Sequence, residues 1–222
     1  MPQAVFPDIF LTPRLRAQRM RQGHLPFITK MHADADLMAT MGGTRDAAAS
    51  RLYVAQNVSH WVEYGYGMYV LDDRRTGAMA GRAGLKYTVS DEQGAIELAY
   101  AFQPDCWGQG YAGEISAALI ALGFKLLPVD VLSAVAIRSN TASRRVMEKT
   151  GLRYVGESAV GGSAAGGGAA GGSAAGGSAA GGSAAGGSAA DEDSVKVRYE
   201  IRRAEWRQLQ GQAGDELLAQ QR

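Results

Sequence analysis

Apolar side chains along this chain recur either at every second position or at every third to fourth position. The first spacing predicts strands and the second predicts helices. Short alternating or apolar runs bounded by turn residues predict strands at residues 11–19, 68–71, 78–89, 95–103, 131–137, 154–160 and 195–203. Helical spacing predicts helices at residues 24–31, 44–65, 108–127 and 141–150, with a polar, Gln-rich helical tail from residue 205.

Residues that favour helix ends refine these boundaries. Pro26 stands near the start of the first helix, where a missing N–H does no harm. Thr44 is expected to cap the start of the second helix, which stops near Gly65. Gly151 follows the helix at residues 141–150 and suits a left-handed C-terminal cap.

The order of the elements indicates an α+β fold. Turn-rich segments join the strands between residues 68 and 103, which is typical of an antiparallel meander. The strand at residues 131–137 is reached through a helix, and such a crossover joins parallel strands. We therefore expect a mixed, mostly antiparallel sheet of about seven strands flanked by helices.

Residues 161–190 form a low-complexity tract of six pentads, five Gly-Gly-Ser-Ala-Ala and one Gly-Gly-Gly-Ala-Ala. Without charged, aromatic or branched side chains the tract has nothing to pack, so we expect a flexible loop between the last two strands. Its regularity fits either an expanded natural repeat or an introduced linker. We expect residues 1–160 and 191–206 to form one domain, with residues 207–222 as a polar helical or disordered tail.

Composition argues against several classes of function. Lys plus Arg (23) nearly balance Asp plus Glu (22), so net charge indicates no nucleic-acid partner. Cys106 is the only cysteine and the three histidines are widely spaced, so neither a disulfide within the chain nor a metal site is expected. The N-terminus lacks signal-peptide features and no apolar stretch is long enough for a membrane span. We therefore expect a cytoplasmic protein without a membrane partner.

A glycine-rich segment joins the strand at residues 95–103 to the next helix. Gly108, Gly110 and Gly113 let backbone N–H groups crowd towards one point. The start of a helix adds unpaired amides and the positive end of the helix dipole, and both favour a phosphate. By itself the segment could equally be a turn without a ligand, because a short glycine pattern is weak evidence.

Several neighbouring motifs occur in a recognisable order. They are Thr12-Pro-Arg-Leu-Arg16, Ile96-Glu-Leu-Ala-Tyr100, Pro104-Asp-Cys-Trp-Gly-Gln-Gly-Tyr-Ala112, Ser139-Asn-Thr-Ala-Ser-Arg-Arg-Val-Met-Glu-Lys-Thr-Gly-Leu152 and Val197-Arg-Tyr-Glu-Ile201. Together they resemble the GNAT superfamily of N-acetyltransferases, in particular the branch that includes ribosomal-protein N-terminal acetyltransferases. The resemblance covers nearly the whole chain except residues 161–190 and the tail. Trp107 stands where the superfamily usually has Gln or Arg, and Trp is familiar in this branch.

This resemblance implies a sheet splayed between its fourth and fifth strands and acetyl-CoA as the donor. Backbone amides from Gln109 to Gly113 would hold the pyrophosphate, and the pantetheine arm would pair with the strand end like an extra strand. A backbone N–H near Tyr100 to Phe102 would polarise the acetyl carbonyl. The cofactor-binding residues implied are Ala101, Phe102, Gln103, Trp107, Gly108, Gln109, Gly110, Tyr111, Ala112, Gly113, Asn140 and Ser143.

The resemblance also suggests two catalytic residues. Glu97 would accept the proton of the attacking ammonium, through water, or would only orient the substrate. Ser143 matches the position of the general acid that protonates the leaving thiolate, or it is a capping hydroxyl of its helix. Tyr100 and Tyr111 are alternative acids, or packing residues.

Other residues near the expected site have ordinary alternatives. Arg144 and Arg145 could reach the 3′-phosphate of the cofactor or could be solvated helix residues. Trp61, Tyr64 and Tyr66 could line the acceptor side, although packing is the default for aromatic residues there.

The function expected is transfer of an acetyl group from acetyl-CoA to a primary amine by direct attack in a ternary complex. The acceptor could be a protein N-terminus or a small-molecule amine, and the protein could be a monomer or a homodimer. The alternative is a non-catalytic acyl-CoA-binding sensor or scaffold with the same fold.

Overall fold

The computed structural model describes residues 6–90, 93–159 and 195–219. Within them the backbone forms one sheet with the strand order β1-β2-β3-β4-β5-β6-β8-β7. The strands are β1 (Ile9–Leu11), β2 (Leu15–Arg19), β3 (Met68–Asp73), β4 (Met79–Ser90), β5 (Gln93–Phe102), β6 (Val131–Ile137), β7 (Arg153–Ala159) and β8 (Val195–Arg202). The residues of the expected flexible loop, 161–190, lie outside the described part of the chain.

The helices flank the sheet, and all of them except the short α2 were expected from the sequence. They are α1 (Leu25–Ala33), α2 (Ala35–Met38), α3 (Ala47–Tyr64), α4 (Tyr111–Leu126), α5 (Thr141–Lys149) and α6 (Arg203–Ala219). Gly65 adopts a left-handed conformation directly after α3, and Gly151 does the same beyond α5. The α+β class and the helix-flanked, mostly antiparallel sheet are therefore confirmed.

The sheet opens between β5 and β6. Strands β4 and β5 are paired in antiparallel register from Gly81↔Phe102 to Ser90↔Gln93. By contrast, β5 and β6 run parallel and are paired at Glu97↔Ser133 alone. Because the predicted first strand is two strands here, β5 and β6 correspond to the fourth and fifth strands of the expectation, and the expected splay is present.

The two faces of the sheet pack against different helices. Tyr69 and Leu71 on β3 belong to a large apolar cluster that also contains the buried side of α4 and Met147 of α5. The alternate residues Met68 and Val70 belong to a second cluster with α1, α2 and the first half of α3. Side chains alternate between the faces of a strand, so the cleft between β5 and β6 has an α1–α3 face and an α4–α5 face.

Three boundaries differ from the sequence-based expectations. The first strand is divided because the Thr12 hydroxyl bonds to the Leu15 backbone and makes a turn before β2. The expected cap at Thr44 is wrong, since the Asp46 carboxylate accepts a hydrogen bond from the Ala49 N–H and begins α3. Helix α4 begins at Tyr111 rather than residue 108, because the backbone of Gly108 and of Gly110 is left-handed.

Candidate active site

A cleft passes through the gap between β5 and β6 and joins the two faces of the sheet. Its walls come from the α2–α3 connection, α3, β4, β5, β6 and α5, through Thr40, Met41, Arg45, Tyr53, Arg82, Glu97, Leu98, Ala99, Tyr100, Val135, Ala136, Asn140, Ser143 and Met147. The splayed strands therefore bring together both residues proposed as catalytic, Glu97 and Ser143, with Tyr100 and Asn140.

Glu97 lies on the α1–α3 face, directly opposite Lys86 in the β4–β5 ladder. Burial raises the pKa of the Glu97 carboxyl, and the charge of Lys86 partly opposes that effect. Lys86 is itself 3% exposed, and burial lowers its pKa to about 8. A partly buried carboxylate with a raised pKa is a better proton acceptor than an ordinary glutamate.

Tyr100 and Ser143 meet on the α4–α5 face. The Tyr100 hydroxyl lies 2.9 Å from Ser143 Oγ and 3.1 Å from the Ser143 carbonyl oxygen. Burial raises the pKa of Tyr100 to about 12, so its hydroxyl keeps its proton at physiological pH. Two hydroxyl groups at the cleft wall can thus share one proton path.

Asn140 caps the helix that carries Ser143. Its Oδ1 accepts a hydrogen bond of 3.0 Å from the Ser143 N–H, and its Nδ2 donates one of 3.0 Å to Thr40 Oγ1. The capping role that the sequence suggested for Ser143 therefore belongs to Asn140. The same amide ties α5 to the α2–α3 connection, across the cleft.

The glycine-rich loop lies at the far end of β5, outside the cleft lining. Gly108 and Gly110 have φ angles of +73° and +79°, which a residue with a Cβ rarely adopts. No described group accepts a hydrogen bond from the N–H groups of Tyr111, Ala112 and Gly113 in the first turn of α4. These amides form the kind of anion site that a pyrophosphate needs.

A set of contacts that the sequence did not indicate fixes this loop. Arg14 donates from Nε to Glu114 Oε2 at 2.6 Å and from Nη1 to the Gln109 carbonyl at 2.7 Å. Thr12 Oγ1 donates to the other oxygen of Glu114. Arg14 lies in the turn before β2 and Glu114 in the first turn of α4, so the chain brings together two residues 100 positions apart.

Tyr111 is engaged away from the cleft. Its hydroxyl donates to Asp73, and this hydrogen bond is the largest cause of the raised Tyr111 pKa and of the Asp73 pKa of about 2. Its side chain is buried and stacks near Phe102. The structure therefore favours the packing alternative for Tyr111 over a role as general acid.

At the end of β5, backbone groups point into the gap between β5 and β6. Ser133 Oγ donates to the Ile96 carbonyl at 3.3 Å, so the even-numbered residues of β5 present their N–H and C=O groups to the β6 side. Beyond Leu98, which flanks the Glu97↔Ser133 pair, these positions have no ladder partner in the described part of β6. Trp107 Nε1 donates to the Phe102 carbonyl at 2.8 Å and so folds the loop back onto the strand end. Ala101 and Gln103 flank this open edge.

The remaining candidates make structural contacts or lie on the surface. Arg144 donates to the Tyr199 hydroxyl at 3.1 Å, whereas Arg145 is exposed on α5. Trp61 and Tyr66 are buried in the core, and Tyr64 stacks on Tyr87. Burial raises the pKa of the Cys106 thiol, which keeps it protonated.

A group of cations on the α1–α3 face was also missed by the sequence analysis. Arg82 and Arg45 line the cleft, and both guanidinium groups lie over the Tyr53 ring, at 4.7 and 5.8 Å from its centroid. Arg82 lies on β4 and Arg45 in the α2–α3 connection, far apart in the sequence, so no local motif reveals them.

Within the described ranges, no helix is both long and apolar enough to cross a membrane. The same ranges hold no cluster of three or more side chains suited to a metal ion.

Comparisons with known proteins agree with this geometry. Residues 14–153 match the family model described as an acetyltransferase (GNAT) domain. An uncharacterised Bacillus subtilis protein, YkkB, is 32% identical over 121 residues, which are 54% of this chain and 70% of the relative.

Two solved structures share the fold at low identity. One is an acetyltransferase from Salmonella typhimurium that modifies the N-terminal serine of a 50S ribosomal subunit protein, with a TM-score of 0.63 and 14% identity over 86% of this chain and 96% of that one. The other is the spermidine N-acetyltransferase of Vibrio cholerae with CoA and spermine, with a TM-score of 0.62 and 13% identity over 87% and 98% of the chains. The match of the family model over more than half of the sequence, together with the splayed sheet, establishes that this chain belongs to the GNAT family of acetyltransferases.

Proposed function

We propose that this protein transfers the acetyl group of acetyl-CoA to a primary amine by direct attack in a ternary complex. The observation that carries the proposal is the placement of Glu97 and the Tyr100–Ser143 pair on opposite faces of one cleft. An acid and a base on either side of a bound thioester are what the transfer needs.

For the donor, the proposed site begins at the start of α4. The pyrophosphate would lie on the free amides of Tyr111, Ala112 and Gly113. The pantetheine arm would follow the open edge of β5 into the gap, where unpaired backbone groups can bond to its amides. One backbone N–H of that edge, near Tyr100 to Phe102, would stabilise the oxyanion that forms on the acetyl carbonyl.

For the chemistry, the amine nitrogen attacks the thioester carbonyl carbon, the C–N bond forms and the C–S bond breaks. Glu97 accepts the proton that the ammonium group must lose before attack and releases it to water, and its raised pKa supports that role. The nitrogen loses a second proton to water as the C–N bond forms. The leaving thiolate takes a proton from Ser143 Oγ, the Tyr100 hydroxyl, 2.9 Å away, can replace that proton, and water reprotonates Tyr100.

The alternative, a non-catalytic acyl-CoA sensor, has no supporting observation beyond the shared fold. A sensor has no need of a partly buried carboxylate on one face of the cleft and two coupled hydroxyl groups on the other.

Two measurements test the proposal. Calorimetry should show binding of acetyl-CoA. Mass spectrometry of amine and peptide mixtures incubated with acetyl-CoA should show a product heavier by about 42 Da, the mass gained when an acetyl group replaces one hydrogen. Glu97→Gln should lower turnover while the affinity for acetyl-CoA stays unchanged. Failure of acetyl-CoA to bind would refute the proposal, and binding without any acetylated product would favour the sensor.

A further inference from the structure

The α1–α3 face of the cleft holds a buried guanidinium without a negative partner. Arg82 is 6% exposed, donates from Nη1 to the Tyr53 hydroxyl at 2.6 Å and contacts Met41 Sδ at 3.6 Å. Both partners are neutral. The Arg82 Nε atom is buried and finds no hydrogen-bond partner among the residues that the structure describes.

The surrounding charges are also positive. Arg45 shares the Tyr53 ring with Arg82, and burial together with the charge of Arg82 lowers its pKa. Lys86 follows on the same face of β4. Nearby His32 is neutral, because burial and the two arginines lower its pKa to about 3.

Negative charge is scarce around this group. Among the described residues, no carboxylate lies within ion-pair distance of either arginine. The cleft lining contains one carboxylate, Glu97, which lies opposite Lys86 rather than Arg82. Burying a cation without a counter-ion is costly, so a ligand anion at this position would relieve an existing penalty.

The anion is not expected to be a phosphate of the donor. The free amides of α4 belong to the opposite face of the sheet, where Ile115 and Leu119 of that helix are buried. Arg82 packs instead with Tyr53 and lies opposite Ala101, both members of the α1–α3 cluster. The cation group therefore faces the side from which the acceptor amine would enter.

We propose that Arg82 and Arg45 bind a carboxylate of the acceptor, which makes the acceptor a small primary amine of the amino-acid class. The inference rests on the proposed acetyl transfer and names its substrate class. Glu97 would hold the amine at one end of the acceptor, and the two arginines would hold the carboxylate at the other. Ala99, a small cleft-lining residue, lies between these positions on β5 and leaves room for the acceptor.

The spacing fits a short molecule. Lys86, opposite Glu97, is four residues from Arg82 along β4, which is about 13 Å of strand at about 3.3 Å per residue. The Arg82 and Glu97 side chains fill part of that length. A polyamine would place a second cation beside two arginines and is therefore disfavoured.

The test compares acceptors that differ only in the anionic group. L-amino acids would be assayed with acetyl-CoA beside their carboxamides, which keep the amine and lose the charge, and beside spermidine. We expect one or more of the amino acids to be acetylated. For each of these, the kcat/KM of the corresponding carboxamide should be about 10- to 100-fold lower, as for loss of a hydrogen bond to a charged group.

Variants then locate the recognition. Arg45→Gln and Arg82→Gln should raise the KM for the acid by a similar factor, leave kcat and the affinity for acetyl-CoA nearly unchanged, and have little effect on the amide. Arg82→Lys should restore part of the preference. Arg51→Gln, on the exposed side of α3, is the matched control and should behave like the parent protein. Arg82 is buried, so its variants could fail to fold. Arg45 is only half-buried, and its variant tests the same carboxylate recognition in that case.

Three outcomes would overturn this inference while the proposed acetyl transfer stands. They are equal use of acid and amide, a preference for spermidine, and acetylation of peptides but of no free acid. Failure of the parent protein to bind acetyl-CoA would instead refute the proposed function itself.

Discussion

The hydroxyl groups of Tyr100 and Ser143 lie 2.9 Å apart at the wall of the cleft, although the residues are 43 positions apart in the chain. The Tyr100 hydroxyl also lies 3.1 Å from the Ser143 carbonyl oxygen and can donate to it when the serine hydroxyl is removed, so its position does not depend on the serine side chain. The pair can therefore be separated by mutation: one variant removes the serine hydroxyl without releasing the tyrosine.

Ser143→Ala and Tyr100→Phe are expected to lower kcat by about 100-fold each, within the range of general acid catalysis, with little change in the affinity for acetyl-CoA. Because both hydroxyl groups serve one proton path, the double variant should be little worse than the worse single variant. Steady-state kinetics and calorimetry measure the two quantities. Additive losses would show that the hydroxyl groups act independently.

The pH dependence of turnover should report Glu97. A general base works only when ionised, and burial raises the pKa of this carboxyl. The acid limb of the kcat profile should therefore lie at higher pH than for an ordinary glutamate, with activity lost as the pH falls through the limb. Glu97→Gln should lower kcat and remove the limb.

Lys86→Met should move that limb to still higher pH, because the lysine charge partly counteracts the rise of the Glu97 pKa. Profiles of kcat at saturating substrate measure the shift. Lys149→Met, on the exposed side of α5, is the control and should leave the limb in place. An unmoved limb in the Lys86 variant would contradict the assignment to Glu97.

The fold was predictable because it depends on local spacing. Alternation and turn residues located the strands from β3 onwards but merged β1 and β2 into one, and the crossover helix after residue 103 was enough to indicate the parallel pair β5–β6. Thr44 was misassigned as a cap because Thr44 and Asp46 are both good capping residues, and only the backbone decides which one begins the helix.

The candidate site was only partly predictable. Glu97, Tyr100, Asn140 and Ser143 lie in motifs, so resemblance found them. Arg82 and Arg45 come from different elements, and their closeness arises from packing of the α2–α3 connection over β4. The Arg14–Glu114 pair joins residues 100 positions apart, which no local pattern reveals.

Arg14→Ala is expected to weaken acetyl-CoA binding without unfolding the protein. Its side chain is 48% exposed, so little core packing is lost, but it links the Gln109 carbonyl to the first turn of α4. Calorimetry should show an affinity about tenfold lower, and thermal denaturation a change of less than about 1 kcal/mol, as for an exposed ion pair. Arg16→Ala, two residues further along the chain in β2, is the control, and an equal loss of affinity there would remove the special role of Arg14.

The glycines of the loop allow a sharper test, because folding and ligand binding should change in opposite directions. Gly110 has a φ of +79°, so Gly110→Ala should destabilise the fold by about 1–3 kcal/mol. Gly113 is helical, and a Cβ there would meet no atom within 4 Å. Gly113→Ala should therefore stabilise the fold, by about 0.5–1 kcal/mol.

The affinity of Gly113→Ala for acetyl-CoA distinguishes a phosphate-binding site from a turn without a ligand. If the pyrophosphate lies on the amides of Tyr111 to Gly113, the new methyl group of Gly113→Ala crowds it, and the affinity for acetyl-CoA should fall about tenfold in a more stable protein. Denaturant unfolding and calorimetry on the same preparation measure both effects. A stabilised variant that binds acetyl-CoA as tightly as the parent would mean that the donor does not approach this turn, because a ligand held by these N–H groups must come close to the position of that methyl group.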